Sequence, residues 1–105
     1  MVNSGCANAC TGSTGMKHAE TMAARTASTV GCAISEVLVA STGVIGVQLD
    51  IDKVTSGIAD ATATLRTDGG NDAARAIMTT DPFPKSASVE IATAAGTFRV
   101  GGIAK

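Results

Sequence analysis

Aromatic side chains are almost missing from this 105-residue chain: it has no Trp and no Tyr, and its two Phe are Phe83 and Phe98. A core must therefore be assembled from Ala, Val, Ile, Leu and Met. At about 25 cal/mol per Å2 of apolar surface, each of these smaller side chains contributes modestly. An excess of charge of one sign is also lacking. Eight Lys and Arg against nine Asp and Glu leave a formal net charge of -1. The charges are scattered singly, so there is no basic patch to neutralise a run of phosphates, which argues against nucleic acid as a partner. No apolar run approaches the ~20 residues that a membrane-spanning helix needs, and the chain does not open with a basic region followed by an apolar stretch. The expected setting is soluble and cytoplasmic, away from membranes.

Reactive and metal-binding side chains are few. The one histidine is His18, and the three cysteines, Cys6, Cys10 and Cys32, form an odd set whose C-x3-C spacing matches no common zinc pattern. No metal and no cofactor are expected, and the thiols read as small, partly buried side chains in a reducing compartment. Without a Gly-x-Ser-x-Gly elbow, His18 has no serine or cysteine triad to serve and is expected on the surface. Prolines number only two, Pro82 and Pro84, and both fall in one short stretch that cannot be helical.

Periodicity supplies the elements. Met16, Ala19, Met22, Ala23, Ala27 and Val30 recur at helical intervals with Lys17, Glu20 and Arg25 between them, which predicts an amphipathic helix capped by Ser13 or Thr14 and ended by Gly31. A strand is expected over Glu36–Ala40. Asp50 or Asp52 opens a second helix carrying Ile51, Val54, Ile58, Ala61 and Leu65 on one face, weakened by Gly57 and by threonines. Asp68–Asn71 is a loop, with Asn71 capping a short helix from Asp72 to Met78. From Ser86 the period drops to two, and Ala94-Ala95-Gly96 joins two strands into a hairpin. The fold class expected is α/β, a single mixed layered domain over residues 1–105. A chain of this size has a limited core and is expected to be marginally stable or to gain from self-association.

Chemistry is expected at Ser41-Thr42-Gly43, a small polar turn between Glu36–Ala40 and the apolar run Val44–Val47. A strand that delivers a hydroxyl and a glycine to its own end presents N–H groups on a rigid mount, as stabilising an oxyanion requires. An ordinary exit from a strand would look the same. The Thr11-Gly12-Ser13-Thr14-Gly15 stretch could hold an anion at a helix start, yet it lacks the Gly-Lys-Ser/Thr ending of a phosphate loop and reads as a helix-entry turn.

Four separated stretches in order decide more: Val2–Gly12 (VNSGCANACTG), Ala40–Gly46 (ASTGVIG), Ala73–Asp81 (AARAIMTTD) and Gly101–Lys105 (GGIAK). With them the chain strongly resembles the bifunctional ornithine acetyltransferase/N-acetylglutamate synthase family of arginine biosynthesis. The resemblance implies that family's layered α/β fold and an acyltransferase that exchanges acetyl between N-acetylornithine and glutamate, with acetyl-CoA as a further donor to consider. It implies oxyanion-hole roles for Thr42 and Gly43 and contacts to the bound amino acid for Thr79 and Lys105. Pro82 departs from the pattern, standing where the family usually has a threonine.

The family's glycine-rich segment runs beyond the position matched by Lys105 to an Ala-Thr bond that cleaves itself, freeing the threonine nucleophile. The expectation is therefore an inner fragment of the first (alpha) subunit, inactive alone, whose partners include the rest of that subunit and the beta chain. In such a fragment Lys105 is expected to fray into solvent. A folded but inactive association module, open at a strand beginning at Met1 and at a hairpin ending at Lys105 and prone to form homo-oligomers, is the competing reading. A small phosphate- or nucleotide-binding domain on the Thr11–Gly15 turn is a weaker third.

Overall fold

A computed structural model describes residues 1–105, which divide into two compact units, Met1–Arg66 and Thr67–Lys105. The class is mixed α/β, as expected.

The first unit is a strand–helix–strand crossover with a second helix against it. Strand β1 (Val2–Cys6) leads to α1 (Gly12–Val30) and returns to β2 (Ala40–Val44), which pairs with β1 in parallel from Val2↔Ala40 to Cys6↔Val44. A parallel pair cannot be closed by a tight turn, and α1 supplies the long crossover it needs. The helix α2 (Ile51–Ala63) packs on α1. Met22, Leu49 and Ile58 form the buried cluster, flanked by Met1, Cys6, Val39, Ile51 and Val54.

Several local expectations are corrected here. Helix α1 begins at Gly12, earlier than Ser13 or Thr14 capping would allow, and Thr11 at its N-cap makes no side-chain capping bond. The Thr11 hydroxyl instead donates to Asn8, whose side-chain amide donates to the Gly15 carbonyl, so the turn is tied from outside the helix. Its end is as expected, with Gly31 left-handed at φ 82°. Met22, Ala23 and Ala27 are buried, whereas Met16 and Val30 are exposed. His18 is half-buried rather than superficial: one turn before Met22, it shares the inward face, and its Nδ1 is shielded without a hydrogen-bond partner.

Of the strand expected over Glu36–Ala40, only Ala40 lies in a strand, as the first residue of β2. Ile34–Glu36 is a single 3-10 turn, held by the Glu36 carboxylate, which accepts the Ala33 N–H at 2.7 Å. The ladder starts only at Val2↔Ala40, so Val37–Val39 precede its first rung. Consequently Ser41-Thr42-Gly43 is not a turn but the middle of β2. Helix α2 opens at Asp50, whose carboxylate accepts the Lys53 N–H at 3.1 Å, and it closes at Thr64, which leaves Leu65 outside the helix and exposed. Of the thiols, Cys6 is half-buried, and Cys10 and Cys32 are exposed; all three are free.

The second unit joins α3 (Gly70–Ala76) to an antiparallel hairpin, β3 (Lys85–Thr93) and β4 (Gly96–Ala104). Helix α3 starts two residues before the expected Asp72, with Gly69 rather than Asn71 at its cap. The hairpin turns through Ala94-Ala95, where the Thr93 hydroxyl donates to the Gly96 carbonyl and accepts the Ala95 N–H. Its alternation is as expected, but both faces are open: Val89, Ile91, Phe98, Val100 and Ile103 are all exposed.

Candidate functional site

In the first unit, the relevant groups lie along β2. Ala40 donates its N–H to the Met1 carbonyl, and Ala7 donates to the Val44 carbonyl, each near 3 Å. Those two bonds bracket the parallel ladder, whose alternation turns Ala40, Thr42 and Val44 toward β1 and the residues between them away. The Thr42 amide therefore faces β1, and the donor left to Thr42 for a ligand is its hydroxyl. Within a trans peptide, C=O and N–H point in opposite directions. With the Thr42 carbonyl toward β1, the Gly43 N–H points to the open edge of this two-stranded sheet.

Glycine at 43 is demanded by sterics. Its φ is 134°, and a Cβ built there would lie 2.3 Å from the Gly5 carbonyl carbon and 2.4 Å from its oxygen. The two strands approach so closely that no side chain fits, and the positive φ turns the peptide ahead of Val44. One hydroxyl and one open-edge amide on adjacent residues can together polarise a carbonyl oxygen.

In the second unit, Thr79, Asp81, Lys85 and Lys105 converge. Sequence places them far apart, and the hairpin brings them together: the register Lys85↔Ala104 sets Lys85 and Lys105 at the same end of the ribbon. Asp81 Oδ1 accepts from Lys85 Nζ at 2.9 Å, and Oδ2 accepts from Lys105 Nζ at 2.5 Å and from the Thr79 N–H at 3.2 Å. Lys105 Nζ also donates to Thr79 Oγ1. Lys85 Nζ stands 5.3 Å from the centre of the Phe83 ring, a cation–π contact that steadies its stem.

Lys105 is thus not frayed; its side chain is only 23% exposed, and Asp81 is at 11%. The Lys105 ammonium foremost, then the Lys85 ammonium and the Thr79 amide, hold the Asp81 carboxyl well below the usual carboxylate range. The cluster carries two ammonium groups against one carboxylate, so a single positive charge is left over. Of the expected site residues, Thr42 and Gly43 are neighbours on the first unit, and Thr79 and Lys105 touch on the second. Reading the residues singly missed Asp81 and Lys85. What joins them to Thr79 and Lys105 is the hairpin register, which no local pattern in the sequence announces.

No group of His, Cys, Asp and Glu is arranged to hold a metal ion. No helix is long and apolar enough to cross a membrane.

Comparison with known proteins adds the following. The model of the ArgJ family matches residues 1–105. The chain is 50% identical over 105 residues to the arginine biosynthesis bifunctional protein ArgJ of Symbiobacterium thermophilum, covering all of this chain and 26% of that protein. It is equally similar, 50% over 105 residues, to the mitochondrial ArgJ protein of Heterostelium pallidum, of which it covers 24%. The chain thus spans about a quarter of the length of these curated relatives.

Among solved structures, ArgJ from Bacillus halodurans superposes with a TM-score of 0.89 at 40% identity, over 98% of this chain and 54% of that one. Ornithine acetyltransferase from Mycobacterium tuberculosis, solved with ornithine, gives a TM-score of 0.89 at 37% identity, over 98% of this chain and 55% of that one.

Proposed function

The chain belongs to the ArgJ family of arginine biosynthesis, and from that premise we propose that residues 1–105 supply part of the active site of an acyltransferase exchanging acetyl between N-acetylornithine and glutamate. Thr42, through its hydroxyl, and Gly43, through its amide, take the oxyanion of the tetrahedral intermediate. Thr79 and Lys105 take the amino-acid substrate. The reaction is a ping-pong exchange in which a threonine freed by self-cleavage attacks the acetyl carbonyl, ornithine leaves, and the glutamate amine then accepts the acetyl group from the threonine ester.

We propose that this threonine lies outside residues 1–105, which span 26% of the Symbiobacterium thermophilum relative, and that these residues act together with the remaining alpha segments and the beta chain. We propose the cytoplasm as compartment, in keeping with three free thiols. No cofactor is required by this chemistry, and acetyl-CoA is an alternative acetyl donor to be tested.

The observation that carries the reading is the contact between Thr79 and Lys105, two positions expected to meet one ligand and joined here through Asp81. The test is assembly. Residues 1–105 are combined with the segments of the Symbiobacterium thermophilum relative that lie outside the match, supplied with N-acetylornithine and glutamate, and assayed for N-acetylglutamate by liquid chromatography. Product is expected, and Thr42→Ala should lower turnover by about 10²–10³, the usual loss for one oxyanion donor. Absence of product from a properly assembled complex, or undiminished turnover in Thr42→Ala, would count against it.

A second reading, an association module without catalysis of its own, is favoured by the hairpin, whose Val89, Ile91, Phe98 and Val100 are open to solvent.

A further inference from the structure

Both oxygens of the Asp81 carboxylate are taken, so its plane is fixed from three directions: Lys85 on Oδ1, Lys105 and the Thr79 amide on Oδ2. A lysine ammonium carries three protons on a flexible four-carbon stem. Lys105 gives one to Asp81 and one to Thr79 Oγ1, which leaves the third uncommitted. Thr79 Oγ1, having accepted from Lys105, still has its own O–H to give. Two donors on neighbouring atoms, backed by one net positive charge, make a short fork of the kind a carboxylate fills with two oxygens.

Lys85 does not share this role. Its side chain is the more exposed of the two lysines, at 38% against 23%, and its ammonium is engaged by Asp81 Oδ1 and the Phe83 ring.

We propose that Asp81 is a positioning residue: its carboxylate holds the Lys105 ammonium against Thr79, so that the Lys105 N–H and the Thr79 O–H form one two-point anchor for the carboxylate of an amino-acid substrate. This rests on the reading of Thr79 and Lys105 as substrate contacts, and it adds the group that makes them a pair. Without Asp81, Lys105 regains the freedom of its stem and the two donors no longer converge. Lys85 braces Asp81 from the opposite oxygen.

The test uses the full chain and nuclear magnetic resonance of its lysine ammonium groups, with ornithine as probe and putrescine, the same diamine without a carboxylate, as control. In the wild type, the Lys105 ammonium should give a resolved, slowly exchanging signal, and ornithine should shift Lys105 and Thr79 saturably while putrescine does not. Asp81→Asn should lose the Lys105 signal and weaken ornithine binding by about tenfold or more, the worth of one charge-assisted hydrogen bond. Lys85→Met should retain the Lys105 signal.

Retention of both the Lys105 signal and the ornithine affinity in Asp81→Asn overturns the proposal, and putrescine shifting Lys105 as ornithine does overturns the carboxylate anchor. A Lys105 signal that depends on Asp81, with no response to ornithine, upholds the positioning and removes the substrate reading instead. Should Asp81→Asn unfold, Asp81→Glu decides, because it keeps the charge and moves the carboxylate by one methylene. A folded Glu variant with weakened ornithine binding supports the proposal, and wild-type binding overturns it.

Discussion

Gly43 faces Gly5 across the β1–β2 ladder with no room for a side chain at position 43, and both residues have positive φ, 134° and 105°. The crowding is one-sided. A Cβ at Gly43 strikes the Gly5 backbone, whereas a Cβ at Gly5 meets nothing within 4 Å. Gly5→Ala should therefore cost backbone strain alone, about 1 kcal/mol, and Gly43→Ala that strain plus separation of the strands, about 3 kcal/mol or more. Urea denaturation of both variants measures the order; a larger loss at position 5 would contradict this geometry.

Asp81 gives the chain an acid-sensitive contact. Lys105, Lys85 and the Thr79 amide hold its carboxyl below its ordinary 3.8 in the folded chain. A carboxyl depressed by folding contributes stability that is fully present above the unfolded value and is lost as pH falls through the folded one. The stability difference between wild type and Asp81→Asn should be level from about pH 5 to pH 8 and shrink below about pH 4. Denaturant titrations across that range check it. Raising salt to about 1 M should reduce the difference, because the lysines are partly in water.

Met22 is fully buried and forms the hydrophobic cluster of the first unit with Leu49 and Ile58. Met22→Ala should cost about 2–5 kcal/mol, which approaches the whole stability of so small a unit. Circular dichroism should show the melting temperature down by about 10 °C or more, or no cooperative transition.

Ile91 and Phe98 stand opposite each other on the hairpin, 44% and 54% exposed. If that apolar ribbon drives association, the double variant Ile91→Thr, Phe98→Thr should lower the mass seen by light scattering toward that of the monomer. The Glu90–Arg99 pair, also opposite each other at 2.8 Å, is left intact by these substitutions.

The helices were legible from their apolar spacing, the hairpin from its period of two, and the ends at Gly31 and Asp50 from capping chemistry. What spacing alone did not convey was pairing. Val37-Leu38-Val39 looks like a strand, but a strand needs a partner, and the first rung of the ladder is at Ala40. For the same reason Ser41-Thr42-Gly43, rich in turn formers, lies inside β2: Gly43 is there to let Gly5 approach and not to reverse the chain. At the cluster on the second unit, Thr79 and Lys105 were identifiable through the family resemblance, while Asp81 and Lys85 depended on a register that a local pattern does not encode. His18 seemed exposed among charged neighbours, and only its position one turn before buried Met22 reveals the shielded ring nitrogen.

The register Val2↔Ala40 also dictates an order of events. Parallel partners separated by a whole helix must await a long loop closure before the first rung rewards it, whereas Thr93 and Gly96 meet across two residues and can zip within microseconds. During refolding, amide protection should therefore arise first in β3 and β4 and last in β1, leaving the strand beside Gly43 to be the slowest part of the molecule to mature.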